Sequence, residues 1–362
     1  MFVALRDLTF AKGRFALMGS VVVLITLLVG LLSGLTAGLA RENISAVTSL
    51  PADRIAFAAP SDGQDLSYAN STVTEDQWRQ WAKAPGVHRA EPLGITTTRA
   101  TADDRSTGVS VFGVEPGSHL APGGGRVDDR TVLMPPAAAG ELGVREGDTV
   151  TLAGRRLTVA ATDRDDSFSH TPVVWTSLRT WQAVAPPAPG TGTAAATVIA
   201  LDTASGADTA ATDRTAGTET VTKDESLSAI GSYTSENGSL QLMRGFLFAI
   251  SALVIGAFFT VWTIQRGGDI AVLKALGATT AALLRDALGQ AVVLLAGGTL
   301  VGTAAAAAIG AAVSGSAVPF VLTPATVLVP AAVMVLLGGL GAGLAVRRIT
   351  SVDPLTALGS AR

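Results

Sequence analysis

Four long apolar windows interrupt an otherwise mixed pattern: Phe15 to Ala40, Gly245 to Ile264, Ala287 to about Ala312, and Ala325 to Val346. Each reaches the roughly 20 residues that a helix needs to cross the hydrocarbon core of a bilayer. The pattern therefore predicts a membrane protein, α-helical, with four transmembrane helices in a 1+3 layout. Between the first two helices lies a stretch whose periodicity is of another kind. Val109 to Val114, Val132 to Met134, Thr149 to Leu152, Leu157 to Ala161 and Val173 to Trp175 are β-branched or alternating runs cut by Gly, Pro and Asp, as strands are. Thr74 to Lys83 has helix-start chemistry at Thr74, stops before Pro85-Gly86, and sets Trp78 and Trp81 on one face. A large mixed α/β domain follows from this mixture. From Pro186 to Gly217 the chain turns to Pro, Ala, Gly and Thr, read as a surface excursion around one short strand, Ala196 to Leu201.

These windows divide the chain into an amphipathic helix at 1–14, helices at 15–40, 239–264, 287–312 and 325–346, and an α/β domain at 41–238. The remaining pieces are a loop at 265–286, a short external loop at 313–324 and a tail at 347–362. The first window is well over the about 7–15 apolar residues of a signal peptide, so it is expected to stay as an anchor. In the amphipathic start, Phe2, Leu5, Leu8 and Phe10 alternate with Arg6, Lys12 and Arg14, a pattern suited to the inner membrane surface.

Charge gives the orientation. Residues 1–14, 265–286 and 347–362 carry nine Lys/Arg against four acids, whereas the loop 313–324 carries none. Basic loops stay inside, so the N- and C-termini are expected to be cytoplasmic and the large domain extracytoplasmic, in a multi-pass protein of the cell membrane. Residues 41–240 hold 16 Lys/Arg and 25 Asp/Glu, a net of −9. An acidic exterior argues against nucleic acid as a partner. Overall, 48% of the 362 residues are hydrophobic, 15% are charged, and cysteine is absent, which excludes thiol catalysis and thiolate metal sites.

The segment Arg266 to Thr279, RGGDIAVLKALGAT, reads as a one- or two-turn helix with Ile270, Leu273 and Leu276/Gly277 on one stripe and Asp269 and Lys274 on the wet side. It resembles the cytoplasmic coupling loop of MacB/FtsX-type ABC transporter permeases. The tail Arg347 to Leu358, with its basic pair and Asp353-Pro354-Leu355, resembles the tail of the same family, and Leu142-Gly143-Val144 through Gly147-Asp148 resembles the approach to a β-hairpin in its ectodomain. The resemblance implies a homodimeric membrane subunit driven by two copies of an ABC ATPase subunit that binds the ATP, with Asp269, Ile270, Leu273, Lys274, Leu276 and Gly277 as the coupling residues. The chain has no G-x-x-x-x-G-K-[ST] loop, no G-x-S-x-G elbow and no H-E-x-x-H pair, so a non-catalytic subunit is expected.

The opening LRDLTFAKGRFALMGSVVVLITLLVGLLSGLTAGL, then Leu50-Pro51-Ala52-Asp53, then Ser169-His170-Thr171-Pro172-Val173-Val174-Trp175 resemble HrtB/DevC-type permeases, whose HrtB members export haem. That resemblance implies efflux of haem or a similar amphipathic toxic molecule, with no intrinsic cofactor. Haem iron accepts Tyr, His, Met or carboxylate, and propionates prefer Arg. Tyr233, Glu236, Leu240, Met243 and Arg244 share one face if the second helix begins early, which makes Tyr233, Glu236, Met243 and Arg244 candidate substrate-binding residues. Another reading of that face is a helix end at the lipid boundary, with Arg244 snorkelling and Tyr233 anchoring. Met18 in the first helix and His170 complete the candidates, although Met18 also reads as packing and a lone histidine as polar surface. His88, His119 and His170 have no spacing suited to a metal site. Gly30/Gly34/Gly38, Gly298/Gly302 and Gly339/Gly343 are stripes for close helix packing. A different class of function also fits: an FtsX-like subunit that transports nothing and transmits ATP-driven motion to an extracytoplasmic partner.

Overall fold

A computed structural model describes residues 12–123, 127–161, 164–186, 195–265, 268, 272, 276–313 and 318–347. The chain separates into two compact units, Leu39–Gly238 and the stretches that precede and follow it.

Leu39–Gly238 is the α/β unit. Its strands are β1 (Arg54–Ala58), β2 (Val87–Ala102), β3 (Arg105–Val114), β4 (Thr131–Met134), β5 (Thr149–Leu152), β6 (Arg155–Ala161), β7 (Ser167–Phe168), β8 (Thr171–Ser177), β9 (Val198–Thr203) and β10 (Thr218–Thr222). Nine of them form a sheet in the order β10-β1-β9-β2-β3-β8-β4-β6-β5, β5 pairs back onto β2, and β7 pairs with β8 off this path. Six strands, from β2 round to β5, therefore close on themselves, while β9, β1 and β10 extend the sheet from the other half of the same β2 edge. β2 is long enough to serve both, pairing with β9 from Val87 to Leu93 and with β5 at Ala100 and Thr101. Closure removes strand edges that would otherwise remain unpaired.

Side-chain alternation divides the interior into two cores. Ile55 and Phe57, Phe112 and Val114, Val173 and Trp175 enter one core, whereas Ala56, Val109, Val111 and Val174 enter the other. The first core contains a chain of edge-to-face rings, Phe57–Tyr68 (4.8 Å), Tyr68–Phe168 (5.5 Å), Phe112–Phe168 (5.6 Å) and Phe112–Trp175 (5.1 Å). Burial pushes the pKa of the Tyr68 hydroxyl up, against the opposing effect of its 2.9 Å bond to Ser226 Oγ.

Short helices cover the sheet. Helix α2 (Glu75–Trp81) starts as the sequence predicts, with Thr74 and Gln77 forming a capping box, and buries Trp81 completely. The others, α3 (Pro136–Leu142), α4 (Leu178–Val184) and α5 (Ala210–Ala216), have no counterpart in the expected elements. The short strand expected at Ala196 to Leu201 is present as β9, between β1 and β2 with Val198, Ile199 and Leu201 fully buried, while residues 187–194 of the expected excursion around it lie outside the described residues.

The second unit is helical. Among the described residues, four helices are long and apolar enough to cross a membrane: α1 (Lys12–Thr48), α6 (Gly231–Gln265), α7 (Thr280–Val313) and α8 (Pro324–Arg347). Both α1 and α6 run into the α/β unit, α1 as far as Thr48 and α6 from Gly231. Within the helical unit Met18, Val22, Ile255, Phe259, Leu295 and Met334 pack together. Gly298 and Gly302 of α7 admit α1: a Cβ on Gly302 would lie 2.6 Å from the Val23 carbonyl oxygen, and one on Gly298 would lie 2.7 Å from Val22. On α8 the close contacts are made by Gly338, against Leu295, and Gly341, against Gly256, whereas a Cβ on Gly339 or Gly343 would meet nothing within 4 Å among the described residues. Within this chain, then, the close approaches of α8 are made by Gly338 and Gly341.

Candidate functional site

The polar cluster of the α/β unit is built on a two-residue hairpin. β7 and β8 pair at Phe168↔Thr171, leaving Ser169 and His170 as the loop, with φ of 50° and 63°. Two consecutive left-handed residues make a turn of the I′ type, which usually takes Asn-Gly. A side chain there costs about 1 kcal/mol per residue. Two hydrogen bonds offset that strain: Ser169 N donates to the Asn43 carbonyl (3.0 Å) and His170 N to the Glu42 carbonyl (3.1 Å) of α1.

The side chains then converge. His170 Nε2 lies 2.8 Å from Glu236 Oε2 of α6, and Nδ1 lies 3.7 Å from Glu42 Oε2. Asn43, 1% exposed, sits at the centre. Its Nδ2 donates to Glu236 Oε2 (3.3 Å) and lies 3.1 Å from His170 Nε2, and its Oδ1 accepts from Ser232 Oγ (2.8 Å). Ser232 Oγ in turn is 2.9 Å from Ser169 Oγ. The end of α1, the start of α6 and the β7–β8 turn are thereby joined through one buried amide.

Of the residues singled out in the sequence, His170 and Glu236 are brought together. Tyr233 instead packs against the first core as a partly buried side chain. Met243 and Arg244 belong to the helical unit, where Met243 is 50% exposed and the Arg244 guanidinium stands 5.9 Å from the Phe248 ring centre. Met18 is buried among the apolar side chains of that unit. Glu42, Asn43, Ser169 and Ser232 were not expected at a site. The signal for the first two was the polar triplet Arg41-Glu42-Asn43 that ends the apolar run of α1.

A cleft of about 460 Å³ adjoins the turn and is lined by Ser169, Gly231, Tyr68, Phe168, Ile95 and Trp181, among others. No charged side chain lines it among the described residues. In the expected coupling segment, Asp269, Ile270, Leu273 and Lys274 lie outside the described residues. Leu276 is 80% exposed, its N–H bonds to the Val272 carbonyl at 3.0 Å, and Gly277 follows with φ 89°. Gly277 thus takes the left-handed conformation that glycine favours. Among the described residues no group of three His, Cys, Asp or Glu is arranged to hold a metal ion.

Residues 17–219 match the MacB-like periplasmic core domain, and residues 242–354 match the FtsX-like permease C-terminal domain. Over 366 residues the chain is 25% identical to the putative hemin transport system permease protein HrtB of Staphylococcus haemolyticus, with 99% of each chain covered. It is 25% identical to an uncharacterized ABC transporter permease of Mycobacterium tuberculosis over 371 residues, again with 99% of each covered. Among solved structures, the extracellular domain of the noncanonic ABC-type transporter YknZ from Gram-positive bacteria covers 47% of this chain and 99% of its own, at 16% identity and a TM-score of 0.35. With the first of the two domains matching more than half of the chain and the second spanning three of its four apolar helices, the protein belongs to the MacB/FtsX family of ABC transporter permeases, membrane-spanning subunits that work with an ATPase.

Proposed function

We propose that this permease exports haem, or an amphipathic molecule of the same kind, from the membrane, as a homodimer driven by two copies of a separate ATPase subunit. The supporting observation is the correspondence along 99% of both chains with a permease named for hemin transport. In this reading the termini face the cytoplasm and the exposed turn at Leu276 meets the ATPase. Outward-facing apolar side chains of α6, such as Phe246 (62% exposed) and Leu253 (72% exposed), meet lipid or the second copy.

The cleft beside the turn suits haem poorly, because two propionates would enter a pocket with no cation among its described lining residues. In this reading the cargo is held instead near Tyr233 and Glu236, at the start of α6, and enters from the membrane. Glu236 and His170 are bonded to one another through Oε2 and Nε2 at 2.8 Å, so in this reading iron takes a ligand from Glu236 Oε1 or His170 Nδ1, or breaks that bond.

The test is a haem titration of the purified permease in detergent, following the Soret band for the wild type and for the Tyr233→Phe/Glu236→Gln variant. A saturable, shifted band that weakens in the variant supports the reading. Absence of a saturable band in the wild type removes haem as cargo and favours force transmission to an outer partner.

A further inference from the structure

We infer that the cleft beside the β7–β8 turn is a binding site for a small uncharged molecule with an apolar body and a hydrogen-bond-accepting oxygen, the chemistry of an aryl ketone. This site is other than the one proposed for the cargo, and it does not depend on what is exported. Its described lining residues all belong to the α/β unit. At about 460 Å³ it falls within the range of roughly 300–1,000 Å³ typical of small-molecule pockets.

The lining selects for neutrality. Ile95, Phe168 and Ile230 supply apolar surface, and Thr96 and Thr97 of β2 add hydroxyls, with no charged side chain among the described lining residues. An ion entering there would give up hydration with no counter-charge in return, whereas an uncharged molecule gives up far less. The hydroxyl hydrogens of Ser71 and Thr197, also in the wall, are already committed to backbone carbonyls, those of Thr197 (2.7 Å) and Ile95 (3.1 Å).

One donor in the wall is left over. Trp181 of α4 is 5% exposed, and its Nε1 is buried with no acceptor among the described residues. Buried indole N–H groups usually have one: Trp78 Nε1 donates to the Ala90 carbonyl (2.8 Å) and Trp81 Nε1 to Thr218 Oγ1 (3.0 Å). Glycines seat the indole of Trp181. A Cβ on Gly94 of β2 would lie 2.2 Å from Trp181 Cδ2, and one on Gly113 of β3 would lie 2.2 Å from Trp181 Cβ. Two strands thus forgo side chains to hold the ring at the wall of the cleft, where the oxygen of a bound molecule supplies the acceptor that the protein does not.

Fluorine NMR of the full-length permease in lipid nanodiscs, with its five tryptophans replaced by 5-fluorotryptophan, tests this. The probe is 2-acetonaphthone, and 2-ethylnaphthalene is its counterpart without the oxygen; affinities are measured by equilibrium dialysis against protein-free nanodiscs. The ketone should shift, saturably, the resonance that is missing in Trp181→Phe, and should bind about five-fold more tightly than the hydrocarbon, as expected for one hydrogen bond. That preference should vanish in Trp181→Phe, which keeps an aromatic ring. Thr97→Phe, at an exposed residue of the wall, fills the cleft and should abolish the shift, while a sharp Trp181 resonance shows that the fold is intact. A ketone that leaves the Trp181 resonance unmoved, binds no better than the hydrocarbon, or still shifts that resonance in Thr97→Phe overturns the site.

Discussion

The α/β unit and the helical unit bury large side chains and space their backbones in opposite ways, and they differ in how many of their buried hydroxyls find partners. In the α/β unit, buried hydroxyls are spent on specific bonds, as in Thr197 Oγ1, which accepts from Ile95 N (2.7 Å) and donates to Ile95 O (3.1 Å). In the helical unit, the hydroxyls of Thr26, Ser33 and Thr299 are buried without a partner among the described residues, and helices approach through glycine. Large apolar side chains are buried in the first unit, whereas Leu253, Leu300 and Leu344 of the second are more than 70% exposed. Water drives the first to fill its cores. Lipid offers no such drive, so the second depends on close van der Waals contact. Removal of large side chains should therefore damage the α/β unit, and enlargement of small ones the helices.

The largest effect is expected from Trp175→Ala. Trp175 is 1% exposed and stacks edge-on with Phe112 at 5.1 Å, so its truncation should cost about 3–5 kcal/mol. Denaturant titration of the full chain, read by exchange protection of β3 and β8, measures it. If protection is unchanged, the two-core description is wrong. Gly302→Leu is the counterpart in the helices. Overpacking against Val23 and Thr26 of α1 should cost about 1–3 kcal/mol and should lower protection of α1 and α7 while sparing the sheet. Gly339→Ala, where nothing stands within 4 Å, should leave stability unchanged or raise it by up to about 1 kcal/mol through helix propensity. Equal damage from both glycine variants would contradict the packing shown.

The same contrast explains what could be read from the sequence. Apolar windows and the capping chemistry at Thr74 act locally, so the four helices and α2 were legible. β2 was not: Arg89, Glu91, Pro92 and a run of threonines mask it, and its place is set by β3, β9 and β5, which lie elsewhere in the chain. The family motifs pointed to His170, and helical spacing pointed to Glu236. The residue that joins them, Asn43, is 127 positions from one and 193 from the other, and no local pattern connects such positions. Ser169-His170 carries no signature of the left-handed turn it makes, since that conformation is held by the carbonyls of α1.

Leu276→Asp separates a surface role from both kinds of packing. A side chain 80% exposed should tolerate the change within about 0.5 kcal/mol of stability. If that turn meets the ATPase, affinity for the ATPase subunit should fall by about 1–2 kcal/mol, seen as lost stimulation of ATP hydrolysis when the two subunits are mixed. Unchanged stimulation would move the coupling contact away from this turn.

The smallest effect lies at the edge of the α/β unit and concerns acid. Asp128 accepts from Arg130 N (2.8 Å), Thr131 N (2.8 Å) and Thr131 Oγ1 (2.9 Å). The backbone bond from Arg130 leads the causes that hold its carboxyl below the usual range, with burial opposing and the Thr131 bonds and the Arg130 charge assisting. A depressed carboxyl contributes stability above its unfolded pKa and loses it as pH falls through the folded value. The group is well exposed, so solvent screening should leave only a few tenths of a kcal/mol. Asp128→Asn should thus flatten part of the acid limb of the stability curve of residues 39–238 and change nothing near neutral pH beyond the lost hydrogen-bond strength. An acid limb identical to the wild type's would show that the turn before β4 is held by Thr131 and its neighbours without help from the charge.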